Sequence, residues 1–393
     1  MNAALIRRLN VARVFHVLRL HPGASQREIA RHADLDKATV SAVVNELDRE
    51  GLVVRSVEAV EGRVGRPEVQ HHIPREAGSL VGARLEPASI RLIATDLTGR
   101  TKGHLQVAGT TDIGLALQRL EVGVRDLLAS CDVHPDTVKG VGVGVPALID
   151  AGGRLAFAPN LGWREVDLLV ELRDRFKVPV YVDNDTKAAG LAEKLFGSCQ
   201  ETRDFVLIAA HSGVGAALHL GGRLFRGQSG FAGEFGHVKV RPNGRLCGCG
   251  AHGCLEAYLS EAAIVTRLAE RGRQFRSLSD VAVAAEKGEE AVLELLDETG
   301  ELLGGACADL VNLLSPERIV LGGNLTVVAP YLLDGLHRTL ADRALAEPLK
   351  RCRVVLSPLG RELVTMGGVA LAMEGFLGLP AWLAASEIGA ALP

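Results

Sequence analysis

Aromatic residues make up only 4% of this 393-residue chain, with two Trp and three Tyr. Its cores must therefore lean on Ala, Val and Leu, and a hydrophobic fraction of 47% is ample for that. No apolar run is long enough to span a bilayer. The start, MNAALIRRLN, is no signal peptide, because Arg7 and Arg8 break its short apolar stretch. Strong charge is also missing. The formal net is −3, which excludes a uniformly basic nucleic-acid-binding surface. There is no short repeat, which excludes a solenoid, and no low-complexity segment. A soluble cytoplasmic protein of two or three domains is expected. Cysteine is scarce too, at seven, yet Cys247, Cys249 and Cys254 fall within eight residues. In a reducing compartment such clustering favours a metal over a disulfide.

The charge is unevenly spread. Residues 1–73 hold eleven Lys and Arg against nine Asp and Glu, a net of +2, which leaves −5 for the rest. This suggests an appended N-terminal module. Leu5, Leu9, Val14, Val17 and Leu18 recur at helical spacing, so residues 3–20 read as an amphipathic helix that HPG at 21–23 stops. Ser25 with Glu28 forms a capping box for a second helix through Ile29. Asp36 can cap a third, KATVSAVVNELDREG, whose Val40, Val43, Val44 and Leu47 face one side. Two short helices across a tight turn match a helix-turn-helix, the later one sized for a major groove. Leu52–Arg55 reads as a strand, and EGRVGRP at 61–67 as a turn tip, so the module resembles a winged helix. Its candidate DNA contacts are Ser25, Gln26, Lys37, Ala38, Thr39, Ser41 and Asn45, with Arg63 and Arg66 reaching into an A·T-rich minor groove.

From about Ser79 glycine becomes frequent and strand-like runs alternate with helical ones. LVGARL and IRLIATDLTG suggest a hairpin, followed by a helix near 112–130 and the strand VKGVGVGVP. The helix DLLVELRDRF, the strand VPVYVDND and the strand pair DFVLIAAHSGVGAALHLGGRLF come next. Helices dominate 255–315, SPERIVLGG adds a strand, and a glycine-opened helix, MGGVALAMEGFL, closes the core. Mixed strands with crossover helices mean an α/β fold, and the length suits two lobes around a ligand cleft. Zn²⁺ takes four thiolate and imidazole ligands in a tetrahedron, and the three cysteines supply three. His237 or His252 can be the fourth.

Gly142-Val-Gly-Val-Pro146, APNLGW (158–163), VDNDTKAAGLAE (182–193), FAGEFGH (231–237), the cysteine cluster and VLGGNL (320–325) occur in the order seen in ROK proteins. That name covers repressors, open reading frames and sugar kinases on an actin/hexokinase-like fold. The resemblance covers about residues 79–375. With the winged helix in front, the chain resembles ROK transcriptional regulators of the xylose or N-acetylglucosamine repressor type. The resemblance implies a winged helix-turn-helix domain at 1–73 and a ROK sugar-binding domain at 74–393. One lobe would take about 79–190 plus 366–393, the other about 191–365. It selects His237, on its Gly236-His237 pair, as the fourth ligand of a structural Zn²⁺. It places Asn160, Asn184, Asp185, Glu234, His237 and Glu256 around a sugar.

In ROK kinases the residue matching Asp185 takes the proton from the sugar hydroxyl. Those kinases also open with a D-x-G-G-T-K-like phosphate turn. Here that stretch reads Arg84-Leu85-Glu86-Pro87-Ala88-Ser89. Arg84 reverses a charge, Glu86 repels phosphate, Pro87 has no N–H and Ala88 has no hydroxyl. The expected function is a sugar-responsive transcriptional repressor without enzyme activity. It would act as a homodimer or homotetramer on double-stranded operator DNA, with a small sugar effector and no membrane partner. The alternatives are an ATP-dependent sugar kinase and a regulator answering a protein partner.

Overall fold

The computed structural model describes residues 3–56, 69–150 and 152–378. The N-terminal part contains α1 (Ala3–Leu20), β1 (Ala24–Ser25), α2 (Gln26–Ala33), α3 (Lys37–Arg49), β2 (Val54–Ser56) and β3 (Gln70–His72). The Ser25–Glu28 capping box forms, and Asp36 accepts from Thr39 N–H, so both predicted helix starts are where the side chains place them. Val40, Val43, Val44 and Leu47 are buried. The expected strand over Leu52–Arg55 is displaced to β2, because the N–H groups of Leu52 and Val53 bond back to the Leu47 carbonyl. β1, β3 and β2 make a small antiparallel sheet. Arg63, Arg66 and most of the expected wing lie outside the described residues.

The larger part is α/β. Its first sheet takes β4 (Ser79–Leu85), β5 (Ser89–Asp96), β6 (Thr101–Ala108), β7 (Val138–Val145) and, after the small sheet of β8 (Leu148–Ile149), β9 (Leu155–Ala158) and β10 (Trp163–Val166), β11 (Val180–Asn184). Its helices are α4 (Ile113–Ser130), α5 (Leu168–Arg173) and α6 (Asp185–Phe196). The second sheet takes β12 (Phe205–Ala210), β13 (Val214–Leu220), β14 (Arg223–Phe225), β15 (Arg318–Gly323) and β16 (Arg353–Leu356). Its helices are α7 (Glu256–Leu259), α8 (Glu261–Glu270), α9 (Leu278–Glu286), α10 (Glu290–Leu314), α11 (Leu325–Arg343) and α12 (Ala346–Arg351), and α13 (Leu363–Phe376) closes the fold. Each five-stranded sheet is a three-stranded antiparallel meander extended by two parallel strands, in the orders β6-β5-β4-β7-β11 and β14-β13-β12-β15-β16. One sheet plan is thus used twice.

α6 and α13 share one apolar core with residues of both sheets. The expected lobe boundaries at 190 and 365 fall inside these two helices, so the lobes meet through helices and not at linkers. α13 starts at Leu363, ahead of the glycines expected to open it. Gly367 and Gly368 serve close approach instead. A Cβ on Gly368 would press on the Gly142 carbonyl and the Ala83 N–H, and one on Gly142 would overlap Gly368.

α1 belongs to the same core. Phe15 packs edge-on to Phe376 of α13, and the Arg19 guanidinium lies over the Phe196 ring of α6. Between them His16 Nε2 stands 3.9 Å from Glu374 Oε1. Burial pushes the Glu374 carboxyl up to about 7 against the pull of Arg19, and burial with Arg19 and Lys194 pushes His16 down to about 3. A raised carboxyl stabilises the fold fully below its ordinary value of 4.5, and that contribution is lost as pH rises toward 7. Glu374→Gln should therefore stabilise the protein by about 2–3 kcal/mol at pH 8 and not at pH 4.5. Urea unfolding at the two pH values checks this; an equal effect at both would remove the titration as its cause.

Candidate functional site

β11 delivers three polar residues to the start of α6. Asp183 is ion-paired with Arg226, downstream of β14. Asn184 caps α6: its Oδ1 accepts from the Thr186 and Lys187 N–H groups, and its Nδ2 donates to the Ala147 carbonyl. The Asn184 amide is thus used to shape the strand-to-helix turn. Asp185, buried at the first turn, faces Arg84 at the end of β4. One Arg84 Nη2 lies 2.9 Å from Glu86 and 3.4 Å from Asp185, and Arg84 is 2% exposed. Gly144, beside Arg84 in the sheet, leaves room for the Asp185 backbone.

Lys187 is also 2% exposed. Burial lowers its pKa, while Asp183, Glu234 and Asp185 raise it again. Nothing in the sequence patterning marked Lys187 or Arg226 for the cleft. The available signal was a lone cation within VDNDTKAAGLAE, where the following helix is almost wholly buried.

The facing wall begins at a 3₁₀ turn, Phe235–His237, which the Ala216-to-Gly233 hydrogen bond holds against β13. Withdrawal from solvent raises the Glu234 carboxyl, Lys187 and His237 lower it, and Asp185 and Glu256 raise it further. Glu234 is therefore within electrostatic reach of Lys187, His237, Asp185 and Glu256. Asn160 is exposed in the turn after β9, where the Leu161 and Gly162 N–H groups both bond to the Ala158 carbonyl.

The cysteine segment folds back on itself through the Lys239–Cys254 and Leu246–His252 bridges. This brings the donor atoms of His237, Cys247, Cys249 and Cys254 within 4.8 Å of one another. His237 Nδ1 is 3.7 Å from Cys247 Sγ, and the sulfurs of Cys249 and Cys254 are 3.7 Å apart. A tetrahedral Zn–S bond of about 2.3 Å gives an edge of about 3.8 Å, so these residues fit a metal ion. His252, exposed, bonds through Nδ1 to the Gly244 carbonyl and stands outside the cluster. Lys239 Nζ is 2.8 Å from Cys254 Sγ. Glu256 links the cluster to the cleft: its Oε1 accepts from the Cys247 thiol at 3.4 Å and its Oε2 from Val214 N–H at 2.9 Å.

On the N-terminal part, Lys37, Ala38 and Asn45 are exposed and Thr39 and Ser41 half-buried. Lys37, Ser41 and Asn45, four residues apart, line one face of α3. Ser25 is 5% exposed and its hydroxyl belongs to the capping box, while Gln26 stays half-buried beside it. Arg55, which the sequence reading passed over, bonds to Asn45 Oδ1 at 2.6 Å and to Asp48 at 2.8 Å, tying β2 to the exposed face of α3.

A family model described as ROK family matches residues 86–374, and one described as MarR family matches residues 8–63. The chain is 29% identical over 397 residues to a xylose repressor of Caldicellulosiruptor bescii, covering 96% of this chain and 99% of that one. A crystal structure of a ROK family transcriptional regulator, a homolog of the E. coli MLC protein, matches with a TM-score of 0.80 at 26% identity, covering 95% of this chain and 98% of the other. A ROK family glucokinase from Streptomyces griseus, solved with glucose and AMPPNP, matches 76% of this chain and 100% of its own, with a TM-score of 0.67 at 27% identity.

Proposed function

Since this chain belongs to the ROK family, we propose that it is a sugar-responsive, DNA-binding transcriptional regulator, with α3 reading operator DNA and the interlobe cleft binding the effector. The observation that carries this reading is the shared core of α1, α6 and α13. α6 begins at Asp185 in the cleft and ends at Phe196 under Arg19. A sugar that draws the lobes together acts on α6 and α13, and so on the helix that carries the DNA-binding part. Likeness to a xylose repressor along almost the whole of both chains supports the same reading.

In the proposed cleft, Asp185, Glu234 and Glu256 accept sugar hydroxyls, and Lys187 balances their charge. Carboxylates suit a ligand that presents several hydroxyl donors. We assign the His237–Cys247–Cys249–Cys254 cluster to a structural Zn²⁺. It supplies a cross-link that fixes Cys254, two residues ahead of Glu256, to His237, three residues after Glu234. Three thiolates and one Zn²⁺ leave a charge of −1, which Lys239 neutralises. Catalysis is not part of the proposal. A guanidinium lies against Asp185, the residue a kinase would use as base, and the family resemblance aligns Glu86 and Pro87 with the glycines of the kinase phosphate turn. Paired chains on a pseudo-palindromic operator complete the reading.

The test joins two measurements. A thermal-shift screen over pentoses, hexoses and N-acetyl-hexosamines identifies the ligand. Fluorescence anisotropy on a selected operator duplex then follows DNA affinity with and without it. The expected change is on the order of 5–150-fold. A sugar that binds and leaves operator affinity untouched would sink the proposal. So would ATP-dependent turnover of that sugar at about 1 per second or faster.

A further inference from the structure

Asn45 stands two turns into α3, on the exposed face it shares with Lys37 and Ser41. These three residues span about 12 Å of helix, a length that a B-DNA major groove accepts. An asparagine on such a face can read adenine through both halves of its amide. Oδ1 then accepts from the adenine N6 amine while Nδ2 donates to N7. Here the two halves are not equally available. Arg55 Nη2 donates to Asn45 Oδ1 at 2.6 Å. Among the described residues, no hydrogen bond engages Asn45 Nδ2.

The guanidinium reaches α3 from another element. Arg55 lies on β2, where its backbone pairs with His71 of β3, so the small sheet fixes where the side chain starts. The same Nη2 is 2.8 Å from Asp48 Oδ2, and Asp48 is three residues beyond Asn45 on the same side of the helix. One guanidinium thus bridges two residues of α3 a turn apart. Asp48 meets its charge, so Arg55 is not the unpaired cation that a phosphate contact calls for. An amide oxygen that accepts from a cation is also polarised. Its second lone pair accepts less readily, and the N–H bonds of the same amide donate more strongly.

We propose that Arg55 is a positioning residue for operator recognition: by holding Asn45 Oδ1 it makes Asn45 a hydrogen-bond donor and biases the base it meets toward guanine. Guanine offers two acceptors in the major groove, O6 and N7. Adenine offers N7 alone and presents its N6 amine to an oxygen already engaged. Cytosine presents an amine and thymine a single acceptor. The inference rests on the reading of α3 as the helix that meets operator DNA.

The experiment measures anisotropy of the full-length chain on an operator duplex selected from a random pool, with each base pair of one half-site substituted in turn. Asn45→Ala locates the base pair concerned, as the position where base preference flattens. There wild type should prefer guanine over adenine on the order of tenfold. Arg55→Met combined with Asp48→Asn removes the bridge at constant formal charge. It should cut that preference to about twofold or less, with the salt dependence of binding kept. In an Asn45→Ala background the same two substitutions should change base preference no further. Arg55→Lys retains the Asp48 pair and should keep part of the preference; it carries the comparison if the double variant melts early. A phosphate contact would behave differently: affinity would fall evenly over all sequences, with a salt slope smaller by about one. That result overturns the proposal. So does adenine preference in wild type, guanine preference that survives loss of Arg55, or selective binding in which no base pair answers to Asn45. If no duplex is bound selectively, the operator reading fails and takes this proposal with it; selective binding without coupling between Asn45 and Arg55 sinks this proposal alone.

Discussion

Cys254→Ser should strip the protein of most of its zinc and lower its unfolding midpoint by roughly 5 °C, an effect on the order of 4 kcal/mol. Cys254 is fully buried, and its sulfur faces both Cys249 and Lys239. Serine at that place removes a thiolate and leaves the Lys239 ammonium without its partner. The loss should spread along Glu256, which joins the cluster to the Val214 N–H and hence to the loop ahead of β13. Sugar binding should therefore weaken together with metal content. Metal analysis by mass spectrometry, paired with a melting curve, checks both parts. His237→Ala should follow Cys254→Ser, while His252→Ala should keep the metal, since His252 bonds to Gly244 away from the cluster. Stoichiometric zinc in Cys254→Ser would remove the assignment.

Asp185→Asn should reduce affinity for the identified sugar by about 100-fold, or about 3 kcal/mol. Its carboxylate stands at the meeting point of Arg84, Thr186 and the Glu234 wall. The amide is nearly isosteric but accepts through only one oxygen and puts an NH₂ toward the Arg84 guanidinium. Stability without ligand should fall less, by about 1–2 kcal/mol, because Glu86 remains 2.9 Å from Arg84. Calorimetry on the variant separates the two effects. Full sugar affinity would reduce Asp185 to a structural partner of Arg84.

Much of this architecture can be read from local patterns. Helix starts at Ser25 and Asp36 follow from side chains that bond three residues on, so they are visible in a linear sequence. The spacing of Val40, Val43, Val44 and Leu47 likewise carries its own buried face. The cysteine cluster was legible because three of its four ligands are neighbours in sequence. The fourth was open between His252, inside the cysteine segment, and His237, ten residues ahead of it, and the family resemblance chose the one that the fold brings in. Asn184 shows the opposite case. An asparagine at a strand end serves a cap or a ligand equally well, and only its three hydrogen bonds reveal the cap.

The Arg226–Asp183 and Arg84–Asp185 contacts and the reach of Lys187 to Glu234 join residues tens of positions apart or more. No local pattern encodes such pairings, because charge reads the same on a solvated face as in a cleft. The doubled sheet plan is hidden for a related reason: strand order repeats without any matching repeat of side chains. By itself the sequence determined the α/β class, the capped helices of the N-terminal part and the three-cysteine part of the metal-capable cluster, since local hydrogen bonding, periodicity and spacing specify each. Tertiary structure alone decided that α1 shares a core with α6 and α13 and that a guanidinium lies on Asp185. Those are long-range packing outcomes, set by which surfaces meet when the two sheets close on their shared helices.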